Sequence, residues 1–485
     1  MPSSSFRARH TALAAALGIF ALAAALRFAF LDTQSFWLDE AVAVRLVELD
    51  LGDLLRRVYD DESTPPLFYV VGWAWAKLFG IGEVGLRSLS AIAGTGFVVV
   101  AYLTGRRLVS ERTGLIAAGL AAVNPLLIYY SQETRAYSLL MLFGGLSLLG
   151  FVCARERPGG RALAGWALAS ALALASHYYA FFLVAPEAVW LATVRRRRAA
   201  PAIAAVSVVG LALLPLALHQ RGLDHAYFLR ETSLVGRVAR LPKQFLVGFE
   251  GPAETLLAMA AGLLALAGVA LALRVGKRAR RAALVVGVLA LGAVALPLPI
   301  DPGTFGTRNA LAAWLPAALV VATGFACARP RRLGLALALA LGAIGLATTL
   351  AVNLDRARGR DDWRGAAESL GSPPPGGRIV VVGPSQGRIP LGLYLPGLGS
   401  FPVTGAEVSE VATVGIDPDG PGSADPPPRP EPPFSPPAPM RLVRRDYASG
   451  YSVAVFGSPR PVRLTTGSLP SLAPGEPAAR FLQRP

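Results

Sequence analysis

The chain has 485 residues, 53% of them hydrophobic and 16% charged, and its 47 Lys and Arg against 31 Asp and Glu give a net charge of +16. Such an apolar composition excludes an ordinary soluble enzyme, because several runs reach the ~20 residues a helix needs to cross a bilayer. The basic excess would suit a nucleic-acid binder if the chain were soluble. Here it clusters in turns between apolar runs, where it sets orientation, and no nucleic-acid partner is expected. Two cysteines, Cys153 and Cys327, supply neither a disulfide framework nor a metal spacing.

Residues 1–10 carry Arg7 and Arg9, and 11–31 form the first apolar run, read as a retained helix rather than a cleaved signal. Further spans are expected at 84–105, 113–130, 138–153, 162–176, 180–194, 201–218, 255–273, 282–299, 309–327 and 333–352, about eleven in all. They are continuous and rich in Ala and Leu, so they are helices, which satisfy their own backbone in hydrocarbon. Arg106, Arg107 and Arg112, then Arg155, Arg157 and Arg161, Arg195 to Arg198, Arg274 to Arg281, and Arg329 to Arg332 fall in alternate turns. The positive-inside rule then puts the N-terminus in the cytoplasm and the loops 32–83, 131–137, 177–179, 219–254 and 300–308 outside, with everything after 353.

In the first outer loop, Leu51, Leu54, Leu55 and Val58 repeat at helical spacing behind Asp50, a plausible N-cap. Leu67, Val70, Val71, Ala74 and Leu78 do the same after Pro65–Pro66. Both are too short to span and are expected to lie on the membrane surface. The fold class is thus an all-α polytopic membrane protein, 1–353, with a small extracytoplasmic α/β domain, 354–485. In the latter, 361–370 reads as helix and 378–382, 440–444 and 451–456 as strands. Between them 417–440 has 11 prolines in 24 residues and reads as an extended insert.

The residues able to do chemistry gather in the outer loops. Asp39 and Glu40 are adjacent carboxylates after the first span. On a helix they would point about 100° apart, so one can serve as a general base and the other hold a cation. Tyr129–Tyr130–Ser131–Gln132–Glu133–Thr134–Arg135–Ala136–Tyr137 is a polar knot between two spans. Ser176–His177–Tyr178–Tyr179 makes the next outer turn, and Thr307–Arg308–Asn309 opens a late span with a guanidinium suited to phosphate. The bland readings are an acidic helix start, an aromatic belt, a structural histidine and a snorkelling arginine. His219, Asp224 and His225 lack a tight metal spacing. Glu187 lies inside a span, where a carboxylate needs a partner or a cavity.

Taken together, Trp37–Leu38–Asp39–Glu40, Thr64–Pro65–Pro66–Leu67–Phe68–Tyr69, Phe79–Gly80, Leu86–Arg87–Ser88 and the Tyr129–Tyr137 knot resemble the C-type integral-membrane glycosyltransferase superfamily. The branch they are most similar to is that of the protein O-mannosyltransferases and the lipid A aminoarabinose transferase. The resemblance is dense over 31–180 and thin to 353, and Asp362–Trp363–Arg364–Gly365–Ala366–Ala367 is similar to the start of the family's outer domain. It implies a polyprenyl-phosphate sugar donor, an inverting transfer with or without a divalent cation, and an active site on the outer face. Asp39 corresponds to the family's proposed base. The chain departs from the pattern at Thr64, where relatives often have His, and at Asn309, where an aromatic residue usually follows the Arg.

The expected function is transfer of a sugar to a lipid, glycan or protein acceptor of the cell envelope, at the inner or plasma membrane. Asp39 and Glu40 are the expected catalytic residues. Gln132, Glu133, Arg135, Tyr137, His177, Tyr178 and Arg308 are expected to bind substrate, with Glu40 the one candidate metal ligand. A transporter or flippase of lipid-linked sugars is the alternative. It is disfavoured because no internal repeat is visible and the polar residues lie at the outer surface rather than halfway through the bilayer. A scaffold relative is disfavoured by the intact acidic pair.

Overall fold

The computed structural model describes residues 4–156, 159–223, 229, 232–249, 251–355, 358–415, 439–448, 450–469 and 478–484. The chain divides into two compact units, 1–31 with 46–351, and 32–45 with 352–485. The segment 32–83 is therefore split: its beginning belongs with the C-terminal region and the rest with the helical unit.

The helices run in order α1 (Ser4–Phe28), α2 (Leu38–Glu48), α3 (Leu51–Asp61), α4 (Leu67–Phe79), α5 (Glu83–Leu108), α6 (Glu111–Val123), α7 (Pro125–Ser131), α8 (Tyr137–Glu156) and α9 (Gly160–Ser176). After these come α10 (Phe181–Gly222), α11 (Leu234–Val247), α12 (Glu254–Arg274), α13 (Lys277–Ala295), α14 (Pro297–Ile300), α15 (Trp314–Cys327) and α16 (Arg331–Leu354). Among the described residues seven helical stretches are long and apolar enough to cross a membrane, or eight if α6 and α7, bent by 63°, make one span. This is an integral membrane protein. The stretches expected at 162–176 and 309–327 are helical but short.

The spans expected at 180–194 and 201–218 are continuous as α10, broken only at Arg195, whose backbone is not helical. A straight helix of this length would hold its ends about 60 Å apart. Yet the Tyr178 hydroxyl donates to Gln220 Oε1 at 2.7 Å, so the chain doubles back at Arg195.

Small residues let helices approach closely. A Cβ on Gly105 would lie 2.9 Å from Gly114 Cα, and one on Gly324 only 1.8 Å from the Gly268 carbonyl, so α5 with α6 and α12 with α15 touch backbone to backbone.

The break between α6 and α7 has a stated cause. Pro125 has no N–H for the Ala121 carbonyl. Arg27, fully buried at the end of α1, replaces that donor: Nη2 reaches the Ala121 carbonyl at 3.0 Å and Nη1 the Ala122 carbonyl at 3.1 Å, while Nε donates to Ser131 Oγ at 3.1 Å. Asn124 caps α7 by accepting from Leu127 N at 3.1 Å.

The surface helices differ from expectation in detail. Asp50 stands at the N-cap of α3 but its side chain makes no cap hydrogen bond. In α3 Leu54 and Val58 are buried, while Leu51 and Leu55 are exposed. In α4 the buried residues are Phe68, Tyr69, Gly72 and Ala76, on the face opposite Leu67, Val70, Val71, Ala74 and Leu78. Leu67, Val70, Val71, Ala74 and Leu78 are thus the less buried face of α4, and a Cβ on Gly72 would meet Val47 at 3.6 Å, an ordinary contact.

In the other unit, α17 (Trp363–Leu370) and α18 (Arg388–Tyr394) accompany strands β1 (Arg378–Gly383), β2 (Leu398–Ser400), β3 (Ala406–Gly415), β4 (Arg441–Ala448), β5 (Tyr451–Leu464) and β6 (Ala479–Gln483). The sheet order is β2-β6-β1-β3-β5-β4, with β1 and β3 parallel and every other pair antiparallel. Ile379–Val382 is buried on both faces, as a central strand requires. Val380 and Val382 pack under Trp363, Leu370 and Leu391, while Ile379 and Val381 pack with Val411 and Phe456. The expected helix and three strands are present. β2, β3, β6 and α18 carry no strong sequence signal. The Pro-rich insert 417–440 lies outside the described residues except at 439–440, as do Asp224 and His225.

Candidate active site

The acidic pair sits in the first turn of α2. The segment before it is laced into the C-terminal region. Ser35 Oγ donates to the Asp361 carbonyl at 2.8 Å and accepts from Trp363 N at 3.0 Å, and Phe36 N donates to the Tyr394 hydroxyl at 2.7 Å. Arg364 Nη2 reaches the Asp32 carbonyl at 2.7 Å, and Arg45 reaches the Gly392 carbonyl at 3.0 Å. Glu40 is fully buried and ion-paired with Arg360 at 3.1 Å, while the Arg360 guanidinium lies 5.8 Å from the centre of the Trp37 ring. Asp39, half-buried, projects from the adjacent position of the same turn. Glu40 thus serves a neighbouring arginine. Among the described residues no three His, Cys, Asp or Glu converge as a metal-ligand set, and a guanidinium already occupies Glu40. The residues at Glu40 do not fit a divalent cation.

The other candidate residues belong to the helical unit. Gln132 Nε2 donates to the Leu26 carbonyl at 3.0 Å, tying the knot to the end of α1. Arg135 is buried and pairs with Glu62 at 3.4 Å. Thr64 lies with its hydroxyl 3.2 Å from that of Tyr69. Tyr137 lies between two rings, with centroids 4.7 Å from Tyr130 and 5.7 Å from His177. Glu133 is buried beside them and, with Arg308, lies within electrostatic reach of Tyr130. The Tyr178 hydroxyl is taken up by Gln220, whose Nε2 donates in turn to the Val58 carbonyl at 2.6 Å. Arg135, Tyr137, His177 and Arg308 therefore converge, whereas Gln132 and Tyr178 act as ties.

His177 is held neutral. Burial first, then the guanidinium groups of Arg308 and Arg135, bring its pKa down from the ordinary 6.5 to about 3. Its Nδ1 accepts from Tyr179 N at 3.2 Å, so the single ring proton is assigned to Nε2, leaving an uncharged donor among cations.

The turn that carries Arg308 is held by α11. The preceding Thr307 hydroxyl bonds Gln244 of α11. An adjacent face of α11 presents Leu241, Pro242 and Phe245 to a cavity of about 320 Å³, which Trp314, Val123 and Leu341 also line. One amphipathic helix therefore holds the turn that carries the cation and lines the apolar cavity.

Glu62, Gln220 and Arg360 are partners that no motif announces. Glu62 could have been found from its place two residues before Thr64–Pro65–Pro66. Gln220 and Arg360 could not, because their partners are far away in sequence.

Residues 63–219 match the model of the dolichyl-phosphate-mannose-protein mannosyltransferase family. An uncharacterised protein of Aquifex aeolicus (strain VF5) is 33% identical over 92 residues, 18% of each chain. Among solved structures, ArnT from Cupriavidus metallidurans bound to undecaprenyl phosphate aligns with a TM-score of 0.56 at 13% identity, covering 90% of this chain and 97% of that one. The archaeal oligosaccharyltransferase AglB from Archaeoglobus fulgidus, in complex with an inhibitory peptide and a dolichol-phosphate, aligns with a TM-score of 0.50 at 14% identity, covering 74% and 57%. The chain thus spans 18% of the length of that curated relative and 57% of AglB. At these identities the structures share the fold, and the protein has the fold of the C-type integral-membrane glycosyltransferase superfamily, resembling the O-mannosyltransferases and ArnT.

Proposed function

We propose that the protein transfers a sugar from a polyprenyl-phosphate carrier to a hydroxyl of an envelope lipid, glycan or protein at the outer face of the membrane. The observation that carries this reading is the double role of α11, which holds the Arg308 turn and lines an apolar cavity. A cation on a turn held by the helix that lines such a cavity suits a ligand with an anionic head and an isoprenoid tail. The ligands named for ArnT and AglB, undecaprenyl phosphate and dolichol-phosphate, have that chemistry.

In this reading Asp39 takes the proton of the acceptor hydroxyl as its oxygen bonds to the anomeric carbon. The bond from that carbon to the phosphate oxygen breaks in the same step, and a single displacement inverts the centre. The leaving polyprenyl phosphate gains charge as it departs, and the guanidinium groups of Arg308 and Arg135 stabilise it. His177 Nε2–H adds a neutral donor. Glu40 positions α2 through Arg360. Glu133 and Tyr137 shape the pocket, and Gln132 and Tyr178 tie its turns to α1 and α10.

The test is transfer of radiolabel from polyprenyl-phosphate sugars to acceptors in membranes containing the protein. Arg308→Ala should lose activity by about 10²-fold or more, as removal of one preorganised charge donor does elsewhere. No labelled product across a panel of lipid-phosphate sugars would overturn the reading.

A further inference from the structure

A second cavity, of about 720 Å³, has none of the residues above in its lining. Arg155 at the end of α8, Trp190 in the first half of α10, and Lys277, Arg278 and Arg281 in the first turns of α13 line it. Four cations here face one hollow. Among the described residues none of them lies within ion-pair distance of an acid; Arg155 has Glu156 as an electrostatic neighbour, but that carboxylate is paired with Arg107. The first turn of α13 adds to this field, since no side chain caps it and its N–H groups carry the positive end of the helix dipole.

The hollow is not polar throughout. Leu284 and Val288 line it, and with Leu291 they form an exposed i, i+4, i+7 row along α13, at 49%, 56% and 71% exposure. A cationic mouth therefore continues into an apolar track along the same helix. A soluble anion has no use for that track. A phospholipid places its phosphate at the mouth and its acyl chain on the row. Four cations exceed the charge of one phosphomonoester or phosphodiester, so a head with two phosphates is the better match.

We propose that this cavity binds an anionic phospholipid, most tightly a bis-phosphate lipid of the cardiolipin kind, separately from the sugar donor. The positive-inside pattern assigns Arg155, Lys277, Arg278 and Arg281 to the cytoplasmic side. There, basic pockets between membrane helices meet anionic lipid heads. The site does not depend on the transferase reading.

Trp190 supplies a local probe. The full-length protein is placed in nanodiscs of phosphatidylcholine with increasing fractions of cardiolipin brominated on its acyl chains. The quenching of Trp190 is read as the difference from Trp190→Phe. Saturable quenching is expected, at least about tenfold weaker in Lys277→Gln/Arg278→Gln/Arg281→Gln and unchanged in Arg331→Gln/Arg332→Gln. Equal quenching by brominated phosphatidylcholine would overturn the proposal, as would equal quenching in the triple variant. Full displacement of the bromolipid by inorganic phosphate would overturn the lipid as ligand, since the apolar track would then contribute nothing. A melting temperature of the triple variant within a few degrees of the parent shows that lost quenching is not lost fold.

Discussion

Glu40 and Arg360 illustrate how differently two adjacent acids are used. Glu40 is fully buried against Arg360, whereas Asp39 in the next position is half-buried. Removing one partner of a buried pair leaves an uncompensated charge and costs about 3–5 kcal/mol. Glu40→Ala should therefore lower the melting temperature strongly, and Glu40→Ala/Arg360→Ala should be less destabilised than the two single changes added together. Simple additivity in thermal melts would show that the pair is not coupled.

His177 gives a pH prediction. Its folded pKa, about 3, lies below the ordinary 6.5, so the unfolded chain takes up the proton first. Its contribution to stability is fully present above 6.5 and falls as pH drops toward 3. Melting temperature measured from pH 7.5 to 4.5 should fall less steeply in His177→Asn than in the parent. An identical slope would mean the ring is not held neutral by its surroundings.

At the scale of elements, the apolar runs were legible because about 20 continuous apolar residues have few other fates. Arg27 was not legible as a structural residue, because an arginine ending an apolar run reads equally well as a snorkelling side chain. Only the structure shows it serving the carbonyls freed by Pro125. The protein-packed face of α4 was not legible either: Phe68, Tyr69, Gly72 and Ala76 form it, on the side away from the Leu and Val that the period selects. The pairing of α11 with the Arg308 turn was also hidden, since Gln244 and Thr307 are 63 positions apart. That element carries a test. Ala317→Phe places a ring in the cavity lined by Leu241, Phe245 and Trp314. It should raise KM for a long-chain lipid donor with little change in kcat, the pattern of lost ground-state binding. An unchanged KM would remove the cavity as the tail site.

At the scale of the whole molecule, the loop that begins at Asp32 is divided between two units. The sequence locates Trp37–Leu38–Asp39–Glu40 and a helix near Trp363. Nothing in either stretch announces that Ser35 bonds a backbone 326 positions later, because such pairings depend on the assembled fold rather than on local pattern. The placement of the proposed base is therefore a property of the C-terminal region as well as of its own helix. The candidate residues were legible as types in the turns between apolar runs. Their division into converging groups and ties, with Gln132 and Tyr178 among the ties, was not.

The central claim is that Asp39 removes the acceptor proton. Its most direct test is the rate of sugar transfer from a radiolabelled polyprenyl-phosphate donor in membranes carrying the parent or Asp39→Asn, at matched protein level and melting temperature. The account predicts a loss of about 10²–10⁴-fold in the variant, the range a positioned general base supplies. Transfer at the parent's rate by Asp39→Asn would contradict it.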